Sequence, residues 1–244
     1  MTIVSHEHRL IFLKPRKTAG TSIERALLRI TAADDWAATS TENEPLDARF
    51  LATPNRTRRS FIGDRPVKRL LRRVGPRALR LREHMPALAL RRCVGDEIWS
   101  TYRKVSVVRD PWRRLLSLWR WRTRRCRLEV DFEDFLRAME SGNRAAEKAV
   151  GARRWSNLPF YAIDGEPVVD HVLRFETISA DFAGLLRDLG LPDTGPLEHM
   201  KKLSGPARGP ATVLSPDQVR RIASLCATEI AWFGYAPPSV DAPG

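Results

Sequence analysis

The sequence predicts an α/β domain with a mostly parallel sheet, because short apolar runs of strand length alternate with segments that have helical periodicity. The clearest strand is Leu10–Leu13, and a polar loop separates it from apolar residues at helical spacing between Ile23 and Ile30. A second buried strand is expected at Lys104–Val108, again followed by a loop and a helix. Ligands in folds of this class bind at the carboxyl ends of the strands, so these two loops are candidate binding segments.

Capping residues and turn signals locate the remaining elements. Pro111 suits the first turn of a helix, and Asp131 can cap the next helix. Ser215-Pro216-Asp217-Gln218 is a capping box that opens a helix running towards Ile230. Asp164-Gly165 indicates a hairpin turn. Glycines end two further predicted helices, one containing Met85 to Arg92 that ends at Gly95 and one from Ile178 to Leu189 that ends at Gly190.

The length and composition limit the classes of protein that fit. The chain has 244 residues, 43% of them hydrophobic, which suffices for one sizeable core and not for several independent domains. We therefore expect a single domain over residues 1–236, with a polar and basic excursion of uncertain structure at 31–82 and a tail at 237–244. No apolar run approaches the roughly 20 residues of a membrane-spanning helix, and no long apolar signal segment is evident, so a soluble, cytoplasmic protein is expected.

The cysteine spacing indicates no disulfide or zinc site, whereas the basic residues bear on the kind of partner. Cys93, Cys126 and Cys226 lack the spacing of a disulfide framework or a zinc site. The chain has 42 Lys and Arg residues against 29 acidic residues, a net charge of +13, concentrated in two blocks at 56–92 and 103–127. Such a field favours a polyanionic partner, which could be a nucleic acid, a phosphorylated nucleotide or an acidic polysaccharide. Because Arg greatly outnumbers Lys, a coding bias towards Arg is an equally good explanation for part of the charge.

The loop after the first strand, residues 14–22, has the composition of an anion-binding site. Backbone N–H groups at a helix N-terminus and the positive end of the helix dipole attract phosphate or sulfate oxygens. Gly20 permits a close approach of the anion, and Thr21 and Ser22 carry hydroxyl donors. Lys17 adds a positive charge, but the first glycine of the Walker motif is missing and the Lys is displaced, so an ordinary ATPase or GTPase is not favoured. A loop and helix cap without a ligand is the alternative.

The loop after the second strand places Arg109 at the strand end and Ser117 about two turns into the following helix. Both side chains could therefore reach one further phosphate, which a guanidinium can bind through two parallel hydrogen bonds. The alternative is a structural pair of Arg109 with Asp110 and a solvated basic face.

Taken together, the two loops resemble the cofactor motifs of sulfotransferases that use 3′-phosphoadenosine 5′-phosphosulfate, most closely those of the carbohydrate-type sulfotransferase family 2. Lys17-Thr18-Ala19-Gly20-Thr21-Ser22 is similar to the 5′-phosphosulfate loop of that family, and the segment from Arg109 to Ser117 is similar to its 3′-phosphate motif. The resemblance covers most of the chain. It does not extend to residues 31–82, and Asp110 stands where members of the family often have Asn.

The resemblance implies a P-loop-NTPase-like three-layer domain and an enzyme that transfers the sulfonate group from the nucleotide to a hydroxyl or amine of an acceptor, which could be a carbohydrate. Lys17 would be catalytic, because it can stabilise the charge on the sulfonate and on the bridging oxygen. No metal, nucleic acid or membrane partner is expected. The expected nucleotide-binding residues, including two from a basic loop near the C-terminus, are Arg16, Lys17, Thr18, Ala19, Gly20, Thr21, Ser22, Arg109, Ser117, Lys202 and Arg208.

The acceptor must lose a proton during such a transfer, and His84 is the expected general base. The near-neutral pKa of a histidine suits proton abstraction, and His84 lies where the family tends to have a His. The surrounding sequence indicates that His84 opens a helix, so a surface or capping role is the alternative. Glu83 is the second candidate for the base.

Two other functions stay open on the sequence: a small-molecule kinase with a degenerate phosphate loop, and a basic nucleic-acid-binding protein. The displaced Lys and the missing magnesium carboxylate oppose the first, and the lack of a recognition motif opposes the second. Four tryptophans could stack on an adenine or a sugar but are more often part of a core, so none is assigned: Trp112, Trp119, Trp121 and Trp155. The sequence indicates neither the acceptor nor the oligomeric state.

Overall fold

The computed structural model describes residues 2–32, 34–39, 56–58, 81, 83–198 and 214–238. The chain divides into two compact units. The first unit is Met1–Pro15, Ala19–Val107 and Pro159–Met200, and the second is Arg16–Thr18, Val108–Leu158 and Lys201–Gly244. Most of the excursion expected at 31–82 and most of the tail lie outside the described residues, as do Lys202 and Arg208.

Within the described residues, the first unit contains a six-stranded sheet and a separate two-stranded hairpin. In chain order the strands are β1 (Ile3–Ser5), β2 (Leu10–Leu13), β3 (Trp36–Thr39), β4 (Arg56–Arg58), β5 (Arg103–Val108), β6 (Ala162–Ile163), β7 (Glu166–Pro167) and β8 (His171–Arg174). The strand order in the larger sheet is β4-β3-β1-β2-β5-β8. The pairs β2 with β5 and β3 with β4 are parallel, whereas β1 runs antiparallel to both β2 and β3.

The described helices are, in chain order, α1 (Gly20–Leu28), α2 (Ala87–Val94), α3 (Asp96–Thr101), α4 (Pro111–Cys126), α5 (Phe132–Glu140), α6 (Arg144–Ala149), α7 (Leu158–Tyr161), α8 (Ile178–Asp188), α9 (Pro216–Leu225) and α10 (Ala227–Phe233). The succession of strands and helices confirms the predicted α/β class, and β2 is followed by a loop and then by α1. Across the part of the chain described, no helix is both long enough and apolar enough to cross a membrane.

The two strands that the apolar runs predicted, β2 and β5, are neighbours in the sheet. Each residue of Leu10–Leu13 is at most 1% exposed, which explains why this strand is apolar without alternation. Leu13 pairs with Ser106, and the Ser106 hydroxyl donates a hydrogen bond to the Leu13 carbonyl oxygen at 3.0 Å. The loops that follow β2 and β5 therefore start from the same edge of the sheet.

The second unit has a core formed around α4. Trp112 is buried, and its indole Nε1 donates a hydrogen bond to the Val219 carbonyl oxygen in α9 at 3.0 Å. The Nε1 of Trp119 donates to the Val130 carbonyl oxygen at 2.9 Å, and its ring lies edge-on to Phe132. Both tryptophans are thus structural, as the sequence analysis favoured.

The capping signals agree with the observed helix starts. Asp131 caps α5, and Ser215 forms a capping box with Gln218 at the start of α9. The turn at Asp164-Gly165 joins β6 and β7 as predicted. One expectation needs correction, because the C-terminal helix does not run on: it ends at Leu225 and the separate helix α10 follows.

Candidate functional site

The loop between β2 and α1 leads into a helix N-terminus without a side-chain cap. The N-cap residue is Ala19, which makes no side-chain cap hydrogen bond, and the first turn of α1 contains no acidic residue. Lys17 and Ala19 have positive φ angles of 63° and 57°, which non-glycine residues rarely adopt and which concentrate at ligand sites. Thr18 and Ser22 are buried and Thr21 is half-buried. The backbone donors and the positive dipole end of α1 favour an anion here.

Gly20, the first residue of α1, leaves room for the side chain of Lys14. A Cβ atom at Gly20 would lie 2.6 Å from Lys14 Cγ, which is closer than real Cβ contacts. The sequence analysis assigned to Gly20 the close approach of an anion. The packing of the Lys14 chain against it is a further reason for a glycine at this position.

The backbone of Arg16 is held by a buried side chain that the sequence analysis did not identify. The amide of Asn157, which is fully buried, accepts a hydrogen bond from Arg16 N at 3.0 Å and donates one to the Arg16 carbonyl oxygen at 2.9 Å. Nothing in the sequence distinguishes this Asn from a residue of an ordinary loop. The guanidinium of Arg16 lies near the Arg154 carbonyl oxygen, with Nη1 3.5 Å away.

The next residue of the loop is held by Arg109. Its Nη1 donates a hydrogen bond to the Lys17 carbonyl oxygen at 2.9 Å, and both residues belong to the second unit. Asp110 follows as the N-cap of α4, where its carboxylate accepts a hydrogen bond from Arg113 N at 2.9 Å. Ser117 is half-buried on the same helix. Two segments that the sequence singled out separately, around Lys17 and around Arg109, therefore meet in one unit.

Positive charge is concentrated around the indole ring of Trp121, one helical turn after Ser117. The Nζ of Lys17 lies 5.6 Å from the ring centroid, and the guanidinium carbons of Arg122 and Arg125 lie 4.8 and 5.6 Å from it. Burial, together with the charges of Arg125 and other cations nearby, lowers the pKa of Arg122 below its usual value. This part of the second unit is suited to anionic ligands.

The two arginines within the second motif have different environments. Arg113 is exposed, whereas Arg114 is buried, with its Nη2 3.4 Å from a carboxylate oxygen of the equally buried Glu229. Arg114 also donates a hydrogen bond from Nη1 to the Trp155 carbonyl oxygen at 2.9 Å. Arg114 is therefore part of the core of the second unit.

A cluster of charged residues in the first unit is centred on Lys14, which the sequence analysis did not select. The buried ammonium of Lys14 lies 2.6 Å from Oε2 of Glu24 and 3.4 Å from Oε1 of Glu83. Burial alone would lower the pKa of Lys14, but the two carboxylates outweigh it and raise the pKa above its usual value. Burial would raise the pKa of Glu83, but the Lys14 ammonium outweighs it and lowers this pKa to about 2.

His84 lies in a turn next to this cluster, and not in the helix start that the sequence predicted. Its φ is 52°, and α2 begins only at Ala87, after the N-cap Pro86. The imidazole Nδ1 is 2.9 Å from the Lys14 carbonyl oxygen. A carbonyl oxygen only accepts, so the neutral ring carries its hydrogen on Nδ1 and a lone pair on Nε2. Burial and then nearby positive charge, including that of Lys14, lower the pKa of His84 to about 3.

A family model described as "Sulfotransferase family" (Sulfotransfer_2) matches residues 1–236. The chain is also similar to a solved structure, a sulfotransferase from Alicyclobacillus acidocaldarius, with 18% sequence identity and a TM-score of 0.46 over 92% of this chain and 95% of that chain. No curated protein matches.

Proposed function

The chain belongs to the sulfotransferase family whose model spans residues 1–236, and from this membership we propose that its sulfonate donor is 3′-phosphoadenosine 5′-phosphosulfate. The acceptor group is a hydroxyl or an amine, and a carbohydrate is the acceptor class that the family resemblance suggests. One catalytic domain spans residues 1–236 in this proposal. The cytoplasmic location expected from the sequence stays a prediction.

The observation that carries the proposal is the hydrogen bond from Arg109 to the Lys17 carbonyl oxygen. Donor binding needs two anion sites at the two ends of one nucleotide. The loop of Lys17 to Ser22 is proposed to bind the 5′-phosphosulfate through backbone N–H groups and hydroxyls, and Arg109 with Ser117 is proposed to bind the 3′-phosphate. Their contact supports this because a single nucleotide can then reach both motifs.

The proposed transfer has one bond formed and one broken. An oxygen or nitrogen of the acceptor attacks the sulfur, and the bond from sulfur to the bridging oxygen breaks, which leaves 3′-phosphoadenosine 5′-phosphate. Lys17 stabilises the negative charge that develops on the bridging oxygen. No divalent metal takes part. Arg16, Lys202 and Arg208 are proposed as additional contacts to the phosphates.

His84 is the proposed base that takes the proton from the acceptor. Its neutral ring has the lone pair on Nε2, which supports this assignment. Glu83 stays the second candidate, because its ion pair with Lys14 lowers its pKa to about 2, below that of His84. The low pKa of His84 applies without donor. Negative charge bound at the N-terminus of α1 would raise that pKa towards the range in which proton abstraction is efficient.

The test is ligand-dependent thermal unfolding followed by transfer of labelled sulfonate. At a hundredfold excess over its dissociation constant, 3′-phosphoadenosine 5′-phosphate should stabilise the protein by about 2.7 kcal/mol, and ATP with magnesium should have a weaker effect. Lys17→Ala should abolish transfer, while Arg113→Ala, an exposed neighbour of the second motif, should leave it near normal. A stronger response to ATP with magnesium would favour a kinase and contradict the proposal.

A further inference from the structure

The buried ion pair of Lys14 and Glu24 has no part in the transfer steps described above, although burying two charges is unfavourable. Lys14 is 3% exposed and Glu24 is 5% exposed. Removing two charges from water costs free energy that their attraction often fails to recover, and an apolar pair of similar size is often as stable. The presence of this pair next to the proposed base therefore suggests a role other than stability.

Lys14 contacts both ends of the Glu83–His84 pair. Its carbonyl oxygen lies 2.9 Å from His84 Nδ1, and its ammonium lies 3.4 Å from Glu83 Oε1. The same Glu83 oxygen is 3.4 Å from His84 Nε2, which is too long for a strong hydrogen bond but close enough to attract the ring once Nε2 carries a proton. One residue thus fixes the ring on one side and the carboxylate that faces the ring on the other.

We propose that Lys14 is a positioning residue for the base: its carbonyl oxygen holds the imidazole of His84 as the Nδ1–H tautomer, and its ammonium holds the Glu83 carboxylate beside Nε2. This proposal rests on the proposed function, since His84 acts as a base only if the chain transfers sulfonate to an acceptor that carries a proton. Glu24 completes the arrangement, because it balances the Lys14 charge in the buried interior.

Transfer of the acceptor proton to His84 neutralises the net charge of the cluster. With a neutral ring, Lys14, Glu24 and Glu83 together carry one net negative charge. When the acceptor proton reaches Nε2, the new imidazolium faces the Glu83 carboxylate, and the four groups become neutral overall. Before that step, the Lys14 ammonium opposes protonation of the ring by solvent, so the lone pair stays available. The charges counted here belong to the two ion pairs of Lys14, with Glu24 and with Glu83.

The direct test observes the ring by nitrogen NMR of histidine, with the His84 signal identified by its loss in His84→Gln. We expect the Nδ1–H tautomer in the wild-type protein and no protonation down to about pH 5, given a pKa of about 3. Lys14→Met combined with Glu24→Gln removes the cation and its counter-charge together. The pKa of His84 should then rise, because the Lys14 charge that opposes protonation of the ring is gone. An Nε2–H tautomer in the wild type, or an unchanged pKa in the double variant, would overturn the proposal.

The NMR test has a control at another buried lysine, and a single substitution replaces the double variant if that variant does not fold. Lys104→Met with Asp170→Asn removes another buried lysine and its ion pair from the same unit and should leave the His84 signal unchanged. If the Lys14 double variant does not fold, Glu83→Gln replaces a partly exposed side chain. It should lower kcat about tenfold or more with an unchanged Kd for 3′-phosphoadenosine 5′-phosphate, and Glu83→Asp should recover part of the loss.

The outcomes separate this proposal from the proposed function. The NMR measurement needs no substrate, so an unshifted His84 pKa rejects positioning by Lys14 even in an active enzyme. Activity against pH provides the other arm: the fall of kcat towards acid should begin at a higher pH in the Lys14 double variant than in the wild type, because its ring takes up a proton more readily. A wild-type protein that shows the expected tautomer and pKa but no transfer would contradict the proposed function. It would still support the contact between Lys14 and the His84 ring.

Discussion

The Nη1 of Arg109 donates a hydrogen bond to the carbonyl oxygen of Lys17 at 2.9 Å, across 92 residues of sequence. This bond ties the end of β5 to the loop that follows β2. A guanidinium has five N–H donors in a planar fork, so one side chain can hold the loop and also bind a phosphate. Arg109 is therefore expected to act on nucleotide affinity in two ways, by direct contact and by fixing the loop.

Arg109→Lys should weaken binding of 3′-phosphoadenosine 5′-phosphate by about 10- to 100-fold. A lysine keeps the charge but loses the planar donors, and a hydrogen bond to a charged group contributes about 1.5–3 kcal/mol. Isothermal titration gives the affinity. Arg113→Lys is the matched control, because Arg113 is exposed on the same helix start, and it should bind normally. Equal affinities for the two variants would remove Arg109 from the nucleotide site.

Asn157→Ala should lower both stability and nucleotide affinity. The change leaves the N–H and carbonyl groups of Arg16 without their buried partner, at a cost of about 2–3 kcal/mol, and it loosens the loop before Lys17. Urea unfolding and nucleotide titration measure the two effects. Asn143→Ala removes a helix cap in the same unit. It should lower stability by about 1 kcal/mol with no change in affinity.

Gly20→Ala should destabilise the protein by about 1–3 kcal/mol, because the new Cβ would lie 2.6 Å from Lys14 Cγ and displace a buried chain. Gly184→Ala is the control. Gly184 lies inside α8, and the nearest atom to an added Cβ there is 3.9 Å away. That change should stabilise by about 0.5–1 kcal/mol through better helix propensity. Chemical unfolding curves compare the two variants, and a neutral Gly20→Ala would show that Lys14 moves aside easily.

Arg114→Ala should destabilise the second unit by about 3–5 kcal/mol, because it leaves the Glu229 carboxylate buried without its partner. Replacing both residues, as Arg114→Met with Glu229→Leu, should recover most of that loss. Calorimetric unfolding measures the stability. Nucleotide affinity of the folded double variant should match the wild type, and a large loss of affinity would mean that Arg114 belongs to the nucleotide site.

The sequence predicted much of the fold around the candidate site because the signals there are local. Four consecutive apolar residues indicate β2, and Pro111 indicates the start of α4. The parallel pairing of β2 with β5 accounts for the nearness of the two motifs, because parallel neighbours end at the same edge. The strand β1 was not predicted, because three residues are too few to show a periodic pattern of apolar residues.

The parts of the site that the sequence did not predict depend on contacts between distant residues. Asn157 reaches Arg16 across 141 residues, and Lys14 reaches Glu83 across 69. No spacing rule connects such pairs, and a lone Asn or Lys has no pattern of its own. The position of Lys14, directly after a buried strand, is the one local signal that could have drawn attention to it.

Acid should destabilise the protein from about pH 6.5 downwards. The pKa of His84 falls from 6.5 to about 3 in the folded protein, so between these values the unfolded chain binds a proton that the native ring does not. The pKa of Glu83 falls from 4.5 to about 2, which adds a second loss of stability between those values. For each such group the free energy of unfolding falls by up to about 1.4 kcal/mol per pH unit. Urea unfolding between pH 7.5 and 4.5 measures the slope, which should be smaller in His84→Gln than in the wild type. An equal slope in the two proteins would mean that His84 takes up a proton in the native state as readily as in the unfolded chain.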